Sequence, residues 1–181
     1  MHVRVIGELA ATPIPERLAR EVIKLVTGGT NEPVGHLLFR EAWSQRTSNP
    51  TSAYIVGWMS AEIGFKECVA DLAPGMEWLI MNLPSPPLPT MIKRLLPTLP
   101  ARLMINGAVL LPPQPVMKQI VDAMQRRNDL IHQPGSVTLD ETQDFLEAVR
   151  DFLWQLDYYR GNQWAVNHLS VESHDALGFR H

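Results

Sequence analysis

Cysteine is almost absent from this chain: Cys68 is the only one in 181 residues. A single thiol cannot close an intrachain disulfide or build a cysteine-based zinc centre, and such usage is the pattern of a reducing, cytosolic environment. Long apolar runs are missing too. No stretch approaches the 18 or so apolar residues that a membrane span needs, and Met1 to Gly7 lack the apolar core of a signal peptide. A soluble, cytoplasmic protein without membrane attachment is therefore expected. There is no excess charge of either sign, the formal net charge being −3. Proteins that coat nucleic acid nonspecifically are normally basic, because counterion release supplies most of that affinity. Any contact with a nucleic acid would have to run through a local basic site. The glycine-rich phosphate loop is absent, since Gly28-Gly29 lacks the lysine and serine or threonine that should follow. So is the Gly-x-Ser-x-Gly nucleophile elbow. Neither internal repeats nor low-complexity tracts occur.

What is present is an ordinary globular composition, 45% apolar and 19% charged, in a chain long enough for one domain with a real core. The patterning is mainly α and predicts a single helical domain spanning residues 1–181, with a core over about 15–160. Met1 to Ile6 alternate loosely, as a short strand or an ordered arm. Leu18, Val22, Ile23 and Val26 follow at helical spacing and stop at Gly28-Gly29. The next helix covers about Val34 to Ser44, with Leu37, Leu38 and Trp43 as candidate buried positions. Thr47-Ser48-Asn49-Pro50 is a start signal, a polar cap with proline just inside. It opens a helix from about Pro50 to Leu72 whose apolar face is Tyr54, Trp58, Ile63, Phe65, Val69 and Leu72. Pro74-Gly75 closes it.

Residues 73–115 are crowded with proline, which removes an amide donor and clashes with the preceding turn. Only short helical turns fit, near Met76 to Met81 and Thr90 to Leu96. Asn106-Gly107 between two apolar runs is a hairpin cue; an apolar loop lying on the core is the alternative. The segment is too apolar for a free tether and reads as an insertion between two helical pairs.

Helical signal returns at about Pro115, with Val116, Ile120, Val121, Met124, Leu130 and Ile131 on the buried side of a helix reaching His132. Gln133 precedes Pro134, which pushes it off helical angles. Thr138 and Glu141 form a capping box. The helix behind it, to about Arg160, carries Phe145, Val149, Phe152, Leu153, Leu156 and Tyr159 at core spacing, and Gly161 stops it. A last short helix fits within Asn162 to Glu172, with a frayed tail over about 173–181.

The chemistry is concentrated at the end of the 115–132 helix, where Arg126, Arg127, Asn128, Asp129 and His132 crowd into seven residues. Asn128 and His132, at i and i+4, share a face. Arg127 and His132, five apart, differ by roughly 140° around the axis. One copy does not aim both at a single point unless the helix loosens before Pro134; two copies about a two-fold axis would. Histidine near neutral pKa exchanges protons, arginine holds phosphate oxygens with a planar fork, and an amide orients a phosphate or hydroxyl. That kit suffices for metal-independent RNA cleavage by the 2′-hydroxyl, and equally for binding a phosphate. A plain helix terminus is the competing reading: a basic residue favours the last carbonyls, and Asp129 can pair with Arg126.

The string Arg127-Asn128-Asp129-Leu130-Ile131-His132 resembles the Arg-polar-x3-His core of the HEPN superfamily (higher eukaryotes and prokaryotes nucleotide-binding). Its setting is similar, late in a long helix and followed by Pro134-Gly135, a capped start and another long amphipathic helix. Upstream, Ala61-Glu62-Ile63-Gly64-Phe65-Lys66 and Ser85-Pro86-Pro87-Leu88 look like the Apea-like branch, so the likeness covers about residues 50–160. Taken alone, Arg-x4-His is a common pattern; the helix order around it supplies the specificity. The resemblance implies an up-and-down helical bundle that homodimerises and acts on RNA without metal or cofactor, as a ribonuclease or a defence or toxin-like protein with a neutralising protein partner. By carry-over, Arg127 would stabilise phosphate charge, His132 would act as general acid or base, and Asn128 would orient substrate or histidine. Arg126, Glu62 and Lys66 would assist in substrate binding, although Glu62 and Lys66 also read as a simple i, i+4 ion pair. One departure stands out. Members silenced by nucleotide transfer carry tyrosine two residues after the histidine, where this chain has Pro134, so that regulation is not expected.

A second class of function fits the same residues: a non-catalytic helical module that binds a nucleotide, a phosphate or a protein. His36, His168 and His174 have no spacing that defines a metal site. Trp43, Trp58, Trp78, Trp154 and Trp164 read as core or interface residues.

Overall fold

The computed structural model describes residues 32–82, 84, 86–132 and 135–179. The expected arm at 1–6 and helix at 18–26 lie outside them. From Pro33 onward the chain forms one compact unit, mainly α-helical and without strands among the described residues. Four helices make the bundle: α1 (Val34–Gln45), α2 (Pro50–Leu72), α5 (Gln114–His132) and α6 (Leu139–Tyr159). Two short helices, α3 (Glu77–Asn82) and α4 (Leu88–Arg94), occupy the proline-rich insertion, and α7 (Val171–Ala176) follows the bundle.

Local chemistry sets the helix starts. The Asn49 side chain accepts from the Ser52 amide, with Pro50 in the first turn of α2. Thr138 and Glu141 close a full capping box on α6. That arrangement holds the Glu141 carboxyl below the usual range, chiefly because the Thr138 amide donates to it. Glu67 reaches from α2 to accept from the amides of Val34 and Gly35, covering the first turn of α1, where amides have no partner within the helix.

Packing along α2 is unusually close. A methyl placed on Gly57 would stand 2.5 Å from Leu146 Cδ2, and one on Gly64 2.4 Å from Leu153 Cδ2. Both pairs are seven residues apart in their own helices and advance together, so α2 and α6 run parallel, with leucines of α6 seated over glycines of α2. On another side of α2, a methyl on Gly35 would meet the Gly64 Cα at 2.7 Å, and Ser60 Oγ donates to the buried Gly35 carbonyl at 2.8 Å. The face through which α1 meets α2 is thus built of small residues. Gly35 and Ala42 are buried while Leu37, an expected core residue, is 40% exposed.

Elsewhere the expected α6 positions Phe145, Val149, Phe152, Leu153, Leu156 and Tyr159 are all buried. Among the described side chains of α5, Val116, Met117, Ile120 and Ala123 are buried, and Val121 is exposed instead of inside. Trp78 is also exposed, because Ile80 is the one buried residue of the short α3, and Trp164 is 40% exposed. Asn106 and Gly107 take positive φ, 52° and 80°, the signature of a tight hairpin turn. Their pairing is a single antiparallel bridge between Ile105 and Ala108 without flanking strands. The expected fraying from residue 173 is corrected as well: Ser173 and Leu177 are buried and Phe179 packs against the core.

The insertion is bound into the unit by polar contacts. The buried Tyr159 hydroxyl donates to the Leu110 carbonyl at 2.8 Å and accepts from the Leu110 amide and Gln155 at 3.0 Å. Burial pushes this phenol up to about 12. Arg102 forks onto both oxygens of Asp71 and onto the Arg160 carbonyl, and Arg160 bridges Asp71 to the buried Asp157. Asp157 in turn meets His36 Nε2 at 2.8 Å. Burial raises the pKa of Asp71, but hydrogen bonds from Arg102 and Arg160 more than reverse this and hold it below the usual range.

Two outcomes are expected. Alanine is the better helix former by about 1 kcal/mol, yet Gly64→Ala should lower stability by about 1–3 kcal/mol through overpacking, and Leu153→Ala in the same chain should recover part of that loss in urea unfolding. Gly35→Ala meets backbone and should have no comparable partner substitution. For Asp71 the folded pKa is depressed, so its contribution is present above the unfolded value of about 3.9 and lost as pH falls through the folded value. Asp71→Asn should be less stable than wild type at pH near 7 and converge with it at acid pH, read as urea midpoints across the range.

Candidate functional site

Helix α5 opens with Pro115 in its first turn, where the missing amide donor costs nothing, and Val116, Ile120 and Ala123 bury its inner side. The polar residues at its far end then point to different places, since successive side chains are about 100° apart.

Arg127 and Asn128 line one open groove together with Trp58 and Glu62 of α2, Met124 of α5, and Pro86, Pro87 and Leu88 at the entry to α4. Its volume is about 290 Å³. Arg127 donates from Nη1 to Asn128 Oδ1 at 3.1 Å, and no carboxylate among the described residues forms an ion pair with it. The guanidinium therefore keeps donors for an anion, beside an amide that it also orients. Glu62 is held by Lys66 at 3.0 Å, one helical turn along α2. Lys66 is not among the groove's walls.

Arg126 belongs to the opposite side. It donates to the Ser136 carbonyl at 2.7 Å, joining the end of α5 to the turn before α6. It lines a separate cavity of about 370 Å³ with Tyr54, Asp122, Asp129, Glu141 and Asp144. The expected Arg126–Asp129 pair does not form: Asp129 accepts from Gln125 at 3.1 Å. Burial pushes the Tyr54 phenol up to about 12, so it is a neutral wall of that cavity. His132 sits in the last turn of α5, exposed, and lines neither cavity.

Of the six residues singled out from sequence, the fold thus gathers Glu62, Arg127 and Asn128 and leaves Arg126, Lys66 and His132 outside. Trp58, expected in the core or at an interface, is 5% exposed and also forms part of the groove wall. Its i, i+4 relation to Glu62 was the available signal, because that spacing puts both on one face of α2.

The remaining reactive groups are engaged elsewhere. Cys68 is buried against the Leu156 carbonyl, and burial pushes its thiol up to about 12, which makes it an inert packing residue. His36 faces Asp157 and lies 4.6 Å from the Trp154 ring, and His168 stacks on Trp154 at the same distance. Among the described residues, no three His, Cys, Asp or Glu side chains group as a metal site, and no helix is long and apolar enough to cross a membrane.

Compared with known proteins, the chain matches no family model, no curated protein and no solved structure.

Proposed function

We propose that this chain is an HEPN-type endoribonuclease, working in the cytoplasm as a homodimer in a defence or toxin-like role. One observation carries the reading: Arg127 and Asn128, the first two residues of the Arg-polar-x3-His string, line a single groove, and no carboxylate among the described residues pairs with Arg127. A guanidinium beside an oriented amide is a donor set for a phosphate diester. Donors fixed in place in this way stabilise the charge that builds on phosphorus during displacement. The bundle around it is of the kind the resemblance implies.

His132 is the proton-transfer group of this reading. The five-residue offset keeps it from the groove of its own copy, so a second copy supplies it across a two-fold axis. Such a cleft assembles only in the dimer, and no metal takes part in the reaction.

The position of His132 favours a second reading as well. Exposed and outside the groove, it leaves Arg127 and Asn128 sufficient to bind a nucleotide or phosphate without chemistry. Incubating RNA with the protein in excess chelator separates the two. The ribonuclease reading expects cleavage by wild type, and a loss of about 100-fold or more in Arg127→Ala and His132→Ala. Because His132 is exposed, its substitution should leave stability within about 0.5 kcal/mol. Cleavage that survives both substitutions sinks the assignment; RNA binding without cleavage selects the module.

A further inference from the structure

Cleavage of RNA by its own 2′-hydroxyl moves two protons. One leaves the 2′-oxygen as it attacks phosphorus, and one arrives at the 5′-oxygen as it departs. A single histidine per groove supplies one group for two tasks. Among the described residues, the groove contains one further ionisable side chain besides Arg127, and that is Glu62.

We infer that Glu62 is the general base that takes the 2′-hydroxyl proton, with Arg127 and Asn128 holding the phosphate beside it. This rests on the ribonuclease reading above. Three features of Glu62 suit the task. It lies on α2, whose glycines bring that helix into close contact with α1 and α6, so its Cα is positioned by tight helix packing. Lys66, one turn away at 3.0 Å, steers the carboxylate while Lys66 itself is outside the groove. And the side chain is one-third exposed, which leaves an oxygen open to a ligand. Arginine cannot serve instead, because it does not deprotonate in proteins, and the Asn128 amide has no proton-accepting nitrogen.

The step balances. The Glu62 carboxylate accepts the 2′-hydroxyl proton as the 2′-oxygen–phosphorus bond forms. The phosphorus–5′-oxygen bond then breaks, and the leaving oxygen takes a proton from His132. The products are a 2′,3′-cyclic phosphate and a 5′-hydroxyl, and solvent resets both protonation states.

The two roles respond differently to the leaving group. An oligonucleotide with one ribonucleotide, whose scissile 5′-oxygen is replaced by sulfur, departs as a thiolate and needs no acid. Wild type, His132→Ala and Glu62→Gln are compared on this substrate and on its oxygen parent, all in chelator. His132→Ala should be slow on the parent and recover to near wild type on the thio substrate. Glu62→Gln should be slower than wild type by about 10²–10⁴-fold on both. Recovery of Glu62→Gln by sulfur, or activity within about threefold of wild type on the parent, overturns the base assignment while leaving the ribonuclease reading intact. If Glu62→Gln melts early, Glu62→Asp poses the question again: retaining a carboxylate, it should outpace Glu62→Ala on both substrates, and equal rates overturn the assignment. Inert wild type on both substrates overturns the ribonuclease reading and this inference together.

Discussion

The absence of side chains at three positions governs this structure. Gly57 and Gly64 let Leu146 and Leu153 settle directly on the α2 backbone, and Gly35 brings the start of α1 against Gly64 on a different side of the same helix. Each glycine inside a helix costs about 1 kcal/mol relative to alanine, so α2 does not owe its 23-residue length to intrinsic propensity. Tertiary contact stabilises it. The dispersion and burial gained when leucine methyls meet bare backbone offset the weak local preference. With two sides of α2 thus occupied, Trp58 and Glu62 are left to face α5 and the entry to α4, and the groove forms where those three elements meet.

The proline-rich segment is a structural part of the same unit and not a cover over it. Leu88, Ile92, Leu96, Leu99 and Ile105 are all buried, and the Tyr159 hydroxyl satisfies both backbone groups of Leu110. Arg102, Asp71, Arg160, Asp157 and His36 run as a chain of contacts over the ends of α2 and α6 and the first turn of α1. Isolated surface ion pairs contribute little. Here the buried Asp157 has two partners, and removing either leaves a carboxylate poorly matched in a dry place. The entry to α4, the third wall of the groove, is anchored separately by the buried Leu88.

Helix geometry divides the polar end of α5 among three environments. Arg126 goes to a carboxylate-lined cavity and braces the Ser136 turn, Arg127 and Asn128 go to the groove, and His132 goes to solvent. Residues adjacent in sequence therefore do different jobs. The groove brings a guanidinium, an amide and a carboxylate together, and the His132 imidazole lies outside it.

Much of the fold was legible in the sequence wherever the cause was local. The Asn49 cap, the Thr138–Glu141 box, the Asn106-Gly107 turn and the Gly161 stop involve atoms a few residues apart, so residue type alone determines them. The Arg127-Asn128 string was legible for the same reason. Burial was less so. Leu37 and Val121 have the right period yet face outward, because which stripe of a helix is covered depends on what crosses it, and α1 docks through Gly35 and Ala42. The tail packs through Leu177 for a similar reason: its partners lie far away in the chain. By itself the sequence determined where the long helices begin and end and where ionisable residues crowd together. Only the tertiary structure decided that Glu62 of α2 stands with Arg127 and Asn128 of α5 and that Arg126 does not. That choice comes from the angle and depth at which two helices cross, which is set by the volume of every side chain between them.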